Sequence, residues 1–101
     1  MAILLDPTNA SAYYNRGVAY HKLGYLERAI KDYDVAIQLD RTDPRAYNNR
    51  GLAYGDLGQH ERAIVDYDNA IRVDPNNAVA RNNRGLAYDN LGQQQRAIQD
   101  Y

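Results

Sequence analysis

Two rows of side chains recur in this sequence at spacings that could do chemistry. Arg16, Arg50 and Arg84 stand 34 residues apart, and each repeat of that length also carries an aspartate immediately before a tyrosine: Asp32, Asp66 and Asp100. Such arginines could form a basic stripe for phosphate or an acidic peptide. Alternatively, if their stems are buried, they need those carboxylates close by, because unpaired interior charge is too costly. The second row is Asn15, Asn49 and Asn83. An amide both donates and accepts, so asparagines at a fixed rise can pair with a peptide backbone without reading its side chains. Asn48, Asn82, His21, Lys22, Asp56 and Asp89 lie beside this row and would tune such a surface.

Catalytic chemistry finds no support. His21 and His60 occupy unrelated places in the repeat, without a carboxylate cluster at metal-ligand spacing around either. Ser11 is the only serine, cysteine is absent, and no glycine-rich loop follows a strand to cradle a phosphate. No catalytic residue, metal ligand or cofactor is therefore expected. The net charge of -1, without any basic run, argues against nucleic acid as a partner, since that affinity comes from an excess of Lys and Arg. The apolar stretch Ala2 to Leu5 is far too short for a membrane span or a signal peptide's hydrophobic region. Lack of cysteine favours a cytoplasmic protein over a secreted one. All ten large aromatics are tyrosines. Every ring thus carries a hydroxyl that wants water or a partner, which suits a thin fold that leaves one end of each ring wet.

The elements that position these rows are written in the same 34-residue period. Gly17, Gly51 and Gly85 share it, as do the pairs Leu23-Gly24, Leu57-Gly58 and Leu91-Gly92, and the tyrosines Tyr33, Tyr67 and Tyr101. Within the central unit, Ala46, Arg50 by its stem, Ala53, Tyr54 and Leu57 have the three-and-four spacing of one helical face. Gly58 stops that helix, and Ala63, Ile64, Tyr67, Ala70, Ile71 and Val73 mark a second. Pro75 ends it, Asn77 caps the next helix, and one unit earlier Asp43 caps a helix that begins at Pro44. Gly51 sits inside its helix at a cost of about 1 kcal/mol relative to Ala, which close helix contact would offset. Small Ala63 and Ala70 would face the gap while Tyr54 and Tyr67 fill the space around it. On the second helices, Glu27 with Lys31 and Arg28 with Asp32 have the spacing of surface ion pairs.

Tyr47, Arg50-Gly51, Tyr54, Ala63, Tyr67, Ala70 and Pro75 make the chain closely resemble the tetratricopeptide repeat family. The departures are Arg before the Gly in all three units, Arg41 at the first unit's Pro position and Arg81 at the third unit's aromatic position. The resemblance implies an all-α, right-handed α-solenoid of antiparallel helix-turn-helix repeats. Residues 1–9 would be the tail of a preceding repeat, 10–43 and 44–77 two complete repeats, and 78–101 a third truncated in its second helix. It further implies a non-catalytic scaffold whose first helices line a concave groove for an extended peptide or partner helix, with the asparagine row on the inner surface. The arginines would face the partner helix, favouring structural ion pairs with Asp32, Asp66 and Asp100 over a ligand site. Family members that grip a C-terminal carboxylate use cations at places held here by Tyr14, Val18, Asn49, Val79 and Asn83, of which only Asn49 fits. A chaperone-tail receptor is therefore not expected.

In the family frame Tyr101 is equivalent to Tyr67 and Met1 to Asn69, so the two ends are complementary. Ala97, Ile98 and Tyr101 form half of a helix whose other half corresponds to Ala2, Ile3 and Leu5. The alternative expectation is thus a structural repeat, natural or engineered, that associates head to tail into a superhelix.

Overall fold

The computed structural model describes residues 6–99, with side chains as far as Gly92. Five helices follow in order: α1 (Ala10–Lys22), α2 (Leu26–Leu39), α3 (Pro44–Asp56), α4 (His60–Val73) and α5 (Ala78–Gln99). No strand occurs among the described residues. Each helix packs on its neighbours in sequence. In addition α1 meets α3 and α3 meets α5, whereas α2 and α4 do not touch. The odd-numbered helices are therefore drawn together on the inner side of a curved stack and the even-numbered ones splay on the outside. This is an all-α helical-repeat solenoid, and the described residues extend over 51 × 32 × 17 Å.

Local chemistry sets the helix boundaries. Asn9, Asp43 and Asn77 accept hydrogen bonds from the backbone N–H groups of Ala12, Arg45 and Ala80 at 3.1, 3.0 and 3.0 Å, satisfying donors that the first turn leaves open. At the other end of α1 and α3, Gly24 and Gly58 take φ of +83° and +79°, the left-handed conformation that closes a helix. The N–H groups of Tyr25 and Gln59 then donate back to the carbonyls of Tyr20 and Tyr54, both at 2.9 Å.

Gly92 behaves differently from its two equivalents. Instead of the turn expected at Leu91-Gly92, α5 runs unbroken for 22 residues. In the first two units the turn is held by a second helix that folds back onto the first. In the third, no described residue lies within 4 Å over Gly85, and no docked helix fixes a turn among the described residues. Gln93, Gln94 and Gln95, residues with good helix propensity, continue the hydrogen-bond ladder instead.

The core consists of small residues and rings between paired helices. Ala29, Ile30, Tyr33 and Ala53 form one cluster, Ala63, Ile64, Tyr67 and Ala87 its equivalent, and Ala36, Ile37, Ala46, Tyr47, Ala70 and Ala80 a third. At the inner-helix glycines Gly17 and Gly51 the nearest side chain is a ring. A Cβ on Gly17 would lie 2.7 Å from Tyr33 Cε1, and one on Gly51 would lie 2.6 Å from Tyr67 Cε1. The tyrosine is thus itself the close contact for which the side chain is missing, because its flat ring needs the whole width of the gap.

Candidate functional site: the inner helix face

The arginines lie at the seam between paired helices. Arg16 donates from Nε and Nη2 to both oxygens of Asp32, each at 2.8 Å, and Arg50 does the same to Asp66 at 3.0 and 2.7 Å. Arg50 also donates from Nη1 to Asp34 at 2.8 Å, and Arg84 makes the equivalent bond to Asp68 at 2.8 Å. One guanidinium therefore ties its own helix pair together and reaches back to the pair before it. Asp34 and Asp68 were absent from the sequence reading although they too stand 34 residues apart. Asp100, the position expected for Arg84, lies outside the described residues.

Burial makes the central pair demanding. It opposes the charge on Arg50, but the hydrogen bonds and charges of Asp66 and Asp34 outweigh it and hold the guanidinium pKa well above its usual value. Burial pushes the Asp66 carboxyl upward against the pull of Arg50. A second consequence concerns Arg28: Asp32 is buried against Arg16, so the surface pair expected between Arg28 and Asp32 is replaced. Arg28 lies over the rings of Tyr20 and Tyr25, 5.9 and 5.5 Å from their centroids.

On the inner face the amides divide. Asn15 and Asn82 are exposed, as are Lys22, Asp56 and Asp89, whereas Asn48 is buried and Asn49 and Asn83 are half-buried. Asn49 donates from Nδ2 to the Tyr14 hydroxyl at 2.8 Å, and Asn83 donates from Nδ2 to Asn48 Oδ1 at 3.1 Å. His21 Nε2 lies 2.8 Å from Asp56 Oδ2. All three contacts join residues 35 apart, so each inner helix is stitched to the next with the same one-residue offset. These bonds fix the amide planes of Asn49 and Asn83 and leave their side-chain carbonyls for other partners.

Two concavities repeat along this face. The first, about 250 Å³, is walled by Val18, His21, Lys22, Tyr33 and Asn49. The second, about 180 Å³, holds the equivalents Leu52, Gly55, Asp56, Tyr67 and Asn83, together with Leu86 and Asn90. Their apolar walls went unassigned in the sequence reading. The period was visible in Val18, Leu52 and Leu86, yet only curvature tells that they line a hollow rather than a core. Lys22 and Asp56 are equivalent positions, so neighbouring hollows carry opposite charge. Of the residues assigned to self-association, Ala2, Ile3, Leu5 and Tyr101 lie outside the described residues. Ala97 and Ile98 fall on α5, where only the backbone is described.

No group of three or more His, Asp or Glu side chains able to hold a metal occurs among the described residues. None of the described helices is long and apolar enough to cross a membrane.

Comparison with known proteins agrees with this architecture. The tetratricopeptide repeat pattern matches residues 44–77 and 66–99, and a related TPR repeat pattern matches 1–24 and 22–58. The chain belongs to the tetratricopeptide repeat family. No curated protein matches its sequence. Among solved structures, it is similar to the first TPR of Spaghetti (RPAP3) bound to the HSP90 peptide SRMEEVD. There it is 33% identical with a TM-score of 0.83, over 86% of this chain and 69% of that one. MamA is 35% identical with a TM-score of 0.85 over 94% of this chain; the chain spans only 56% of the MamA structure. The Sgt2 TPR domain from Aspergillus fumigatus is 29% identical with a TM-score of 0.79, over 85% of this chain and 57% of that one.

Proposed function

We propose that this chain is a non-catalytic scaffold that binds an extended peptide or partner helix along the inner face of α1, α3 and α5. The observation that carries this reading is the pair of hollows one repeat apart, each edged by an asparagine whose amide plane is already fixed by a neighbouring helix. Fixed polar groups around an apolar depression hold a ligand at small entropic cost. The HSP90 peptide on the first TPR of Spaghetti supports a peptide as the ligand class. The positions that would grip a terminal carboxylate hold Tyr14, Val18 and Val79 here, which favours ligands read along their length over ligands read at the tail. The partner is protein or peptide, with no cofactor, nucleic acid or membrane. The absence of cysteine supports a cytoplasmic setting.

Panning a displayed random dodecapeptide library against the chain tests this. Leu86→Glu, on the wall of the second hollow, should abolish retention of the enriched peptides. Val65→Glu, on exposed outer surface, should leave it intact. Equal effects of the two changes would reject the groove.

A second reading rests on α5. Among the described residues none covers its Gly85, where Gly17 and Gly51 each receive a tyrosine ring. A second copy presenting the Ala-Ile-x-x-Tyr spacing of a repeat's second helix would complete that surface and join copies head to tail. Light scattering over a concentration series should show mass rising with concentration, and Gly85→Arg should suppress the rise. A constant monomer mass at high concentration rejects self-association.

A further inference from the structure

Ala19, Ala53 and Ala87 are one position in three repeats, and among the described residues only the last two are covered. Ala53 is 0% and Ala87 5% exposed, whereas Ala19 is open to solvent, and Leu23 is 67% exposed where its equivalent Leu57 is 37%. The cover is the same element both times. Ala29, Ile30 and Tyr33 of α2 close over Ala53, and Ala63, Ile64 and Tyr67 of α4 close over Ala87. Each covering helix also supplies an acid to the arginine one turn before the covered alanine. Asp34 accepts from Arg50 Nη1 and Asp68 from Arg84 Nη1, both at 2.8 Å. The junction therefore has two parts, a small residue on which an isoleucine packs and a guanidinium that takes a carboxylate.

Both parts are present on α1. Arg16, Ala19, Tyr20 and Leu23 fall on one face at three-and-four spacing. Arg16 commits Nε and Nη2 to Asp32, and its guanidinium lies 5.8 Å from the ring centroids of both Tyr13 and Tyr20. The direction of Nη1 is thus set before any partner arrives. Residues 1–5 lie outside the described residues and contain no acid. Their equivalents Ala36 and Ile37 pack at the Ala46–Tyr47 end of α3, about two turns from Ala53. In the repeat register they correspond to the Ala12–Tyr13 end of α1 rather than to Ala19.

We propose that the face of α1 bearing Arg16, Ala19 and Leu23 docks an amphipathic helix from a separate repeat protein, one carrying Ala-Ile-x-x-Tyr-Asp with its Asp on Arg16. Continuity with the junctions of α2 on α3 and α4 on α5 argues for this occupant, and the guanidinium selects its acid. A second copy of this chain is the poorer match, because its α2 and α4 are each already packed between two neighbours. The face lies at the opposite end of the stack from Gly85 and apart from the inner hollows, so the inference depends on neither reading above.

The probe is a peptide of residues 25–40, the α2 sequence, with blocked ends and a lactam joining Glu27 to Lys31. Both are exposed on α2 and four residues apart, so the bridge holds the helix without touching the docking face. Titrated into the 15N-labelled chain, the peptide should shift the amide signals of α1 from Arg16 to Leu23. Ala19→Arg, at an exposed position, should fold as wild type and abolish the shifts. An Asp34→Asn peptide should bind about threefold more weakly, the scale of a part-exposed ion pair, whereas an Asp32→Asn peptide of the same net charge should bind like the parent. Equal binding by the two Asn peptides overturns the role given to Arg16. Absence of binding overturns the docking face, as do shifts confined to α5 that Gly85→Arg removes. If the chain alone gains mass with concentration and Ala19→Arg stops the gain, a second copy is the occupant and the proposal fails.

Discussion

Replacing Arg50 with methionine should be among the most damaging single changes available to this chain, and the structure supplies its own control. Asp66 is 2% exposed and Asp34 43%, while Arg50 itself is 20% exposed. Methionine keeps the apolar stem but leaves the Asp66 carboxylate in the core without a cation. Orphaning one partner of a buried pair costs about 3–5 kcal/mol, against a total stability of roughly 5–15 kcal/mol for a domain. At about 4–8 °C per kcal/mol for a chain of this size, the melting temperature should fall by well over ~10 °C. Arg84→Met removes the corresponding contact to Asp68, but that pair is 32% and 52% exposed. Its loss should cost less than about 1 kcal/mol. Urea titration of both variants followed by circular dichroism, with the slopes compared so that stability is what is read, gives the difference directly. The double change Arg50→Met with Asp66→Leu should recover most of the loss, since the penalty lies in the orphaned charge more than in the vanished attraction. Losses at Arg50 and Arg84 that agree within about 1 kcal/mol would refute the argument that burial decides the worth of these pairs.

The glycines give a second internal contrast. Gly51→Ala would drive a Cβ to 2.6 Å from Tyr67 Cε1 and should destabilise by roughly 1–2 kcal/mol despite better helix propensity, whereas Gly85→Ala, with no described residue within 4 Å of the added Cβ, should gain up to about 1 kcal/mol by thermal melting. Gly58→Ala should cost about 1–2 kcal/mol, because φ of +79° is strained for any residue with a Cβ. Burial pushes the phenols of Tyr33 and Tyr67 up to about 12. Their folded-state pKa values are raised, so their contribution is fully present below the ordinary tyrosine pKa of about 10 and is lost as pH rises from there through about 12. Absorbance titration at alkaline pH should show two tyrosines ionising late and together with unfolding, and ten ionising uniformly near pH 10 would contradict this.

Much of the chain was legible in its period. Spacing of Gly17, Gly51 and Gly85, the caps Asp43 and Asn77, and the breaks at Gly24 and Gly58 are local or strictly repeated signals, and local chemistry is what sets helix ends. The third unit's break was not legible in the same way. Leu91-Gly92 carries the same two residues as the earlier turns, but α5 continues through them, and no described residue is docked over Gly85.

The seam was partly readable: an arginine and an aspartate per repeat could be paired by composition, but the reach of Arg50 to Asp34 depends on how far one helix pair is rotated on the next. Which asparagines stay free depends on the same rotation, because the 35-residue offset commits Asn49 and Asn83 while leaving Asn15 exposed. The sequence by itself determined that this protein is a stack of two-helix units, since each unit's hydrophobic pattern closes within 34 residues. Only the tertiary structure decided the angle between units. That angle draws the inner helices together and hollows the face between them, because curvature is a relation between repeats and no single repeat encodes it.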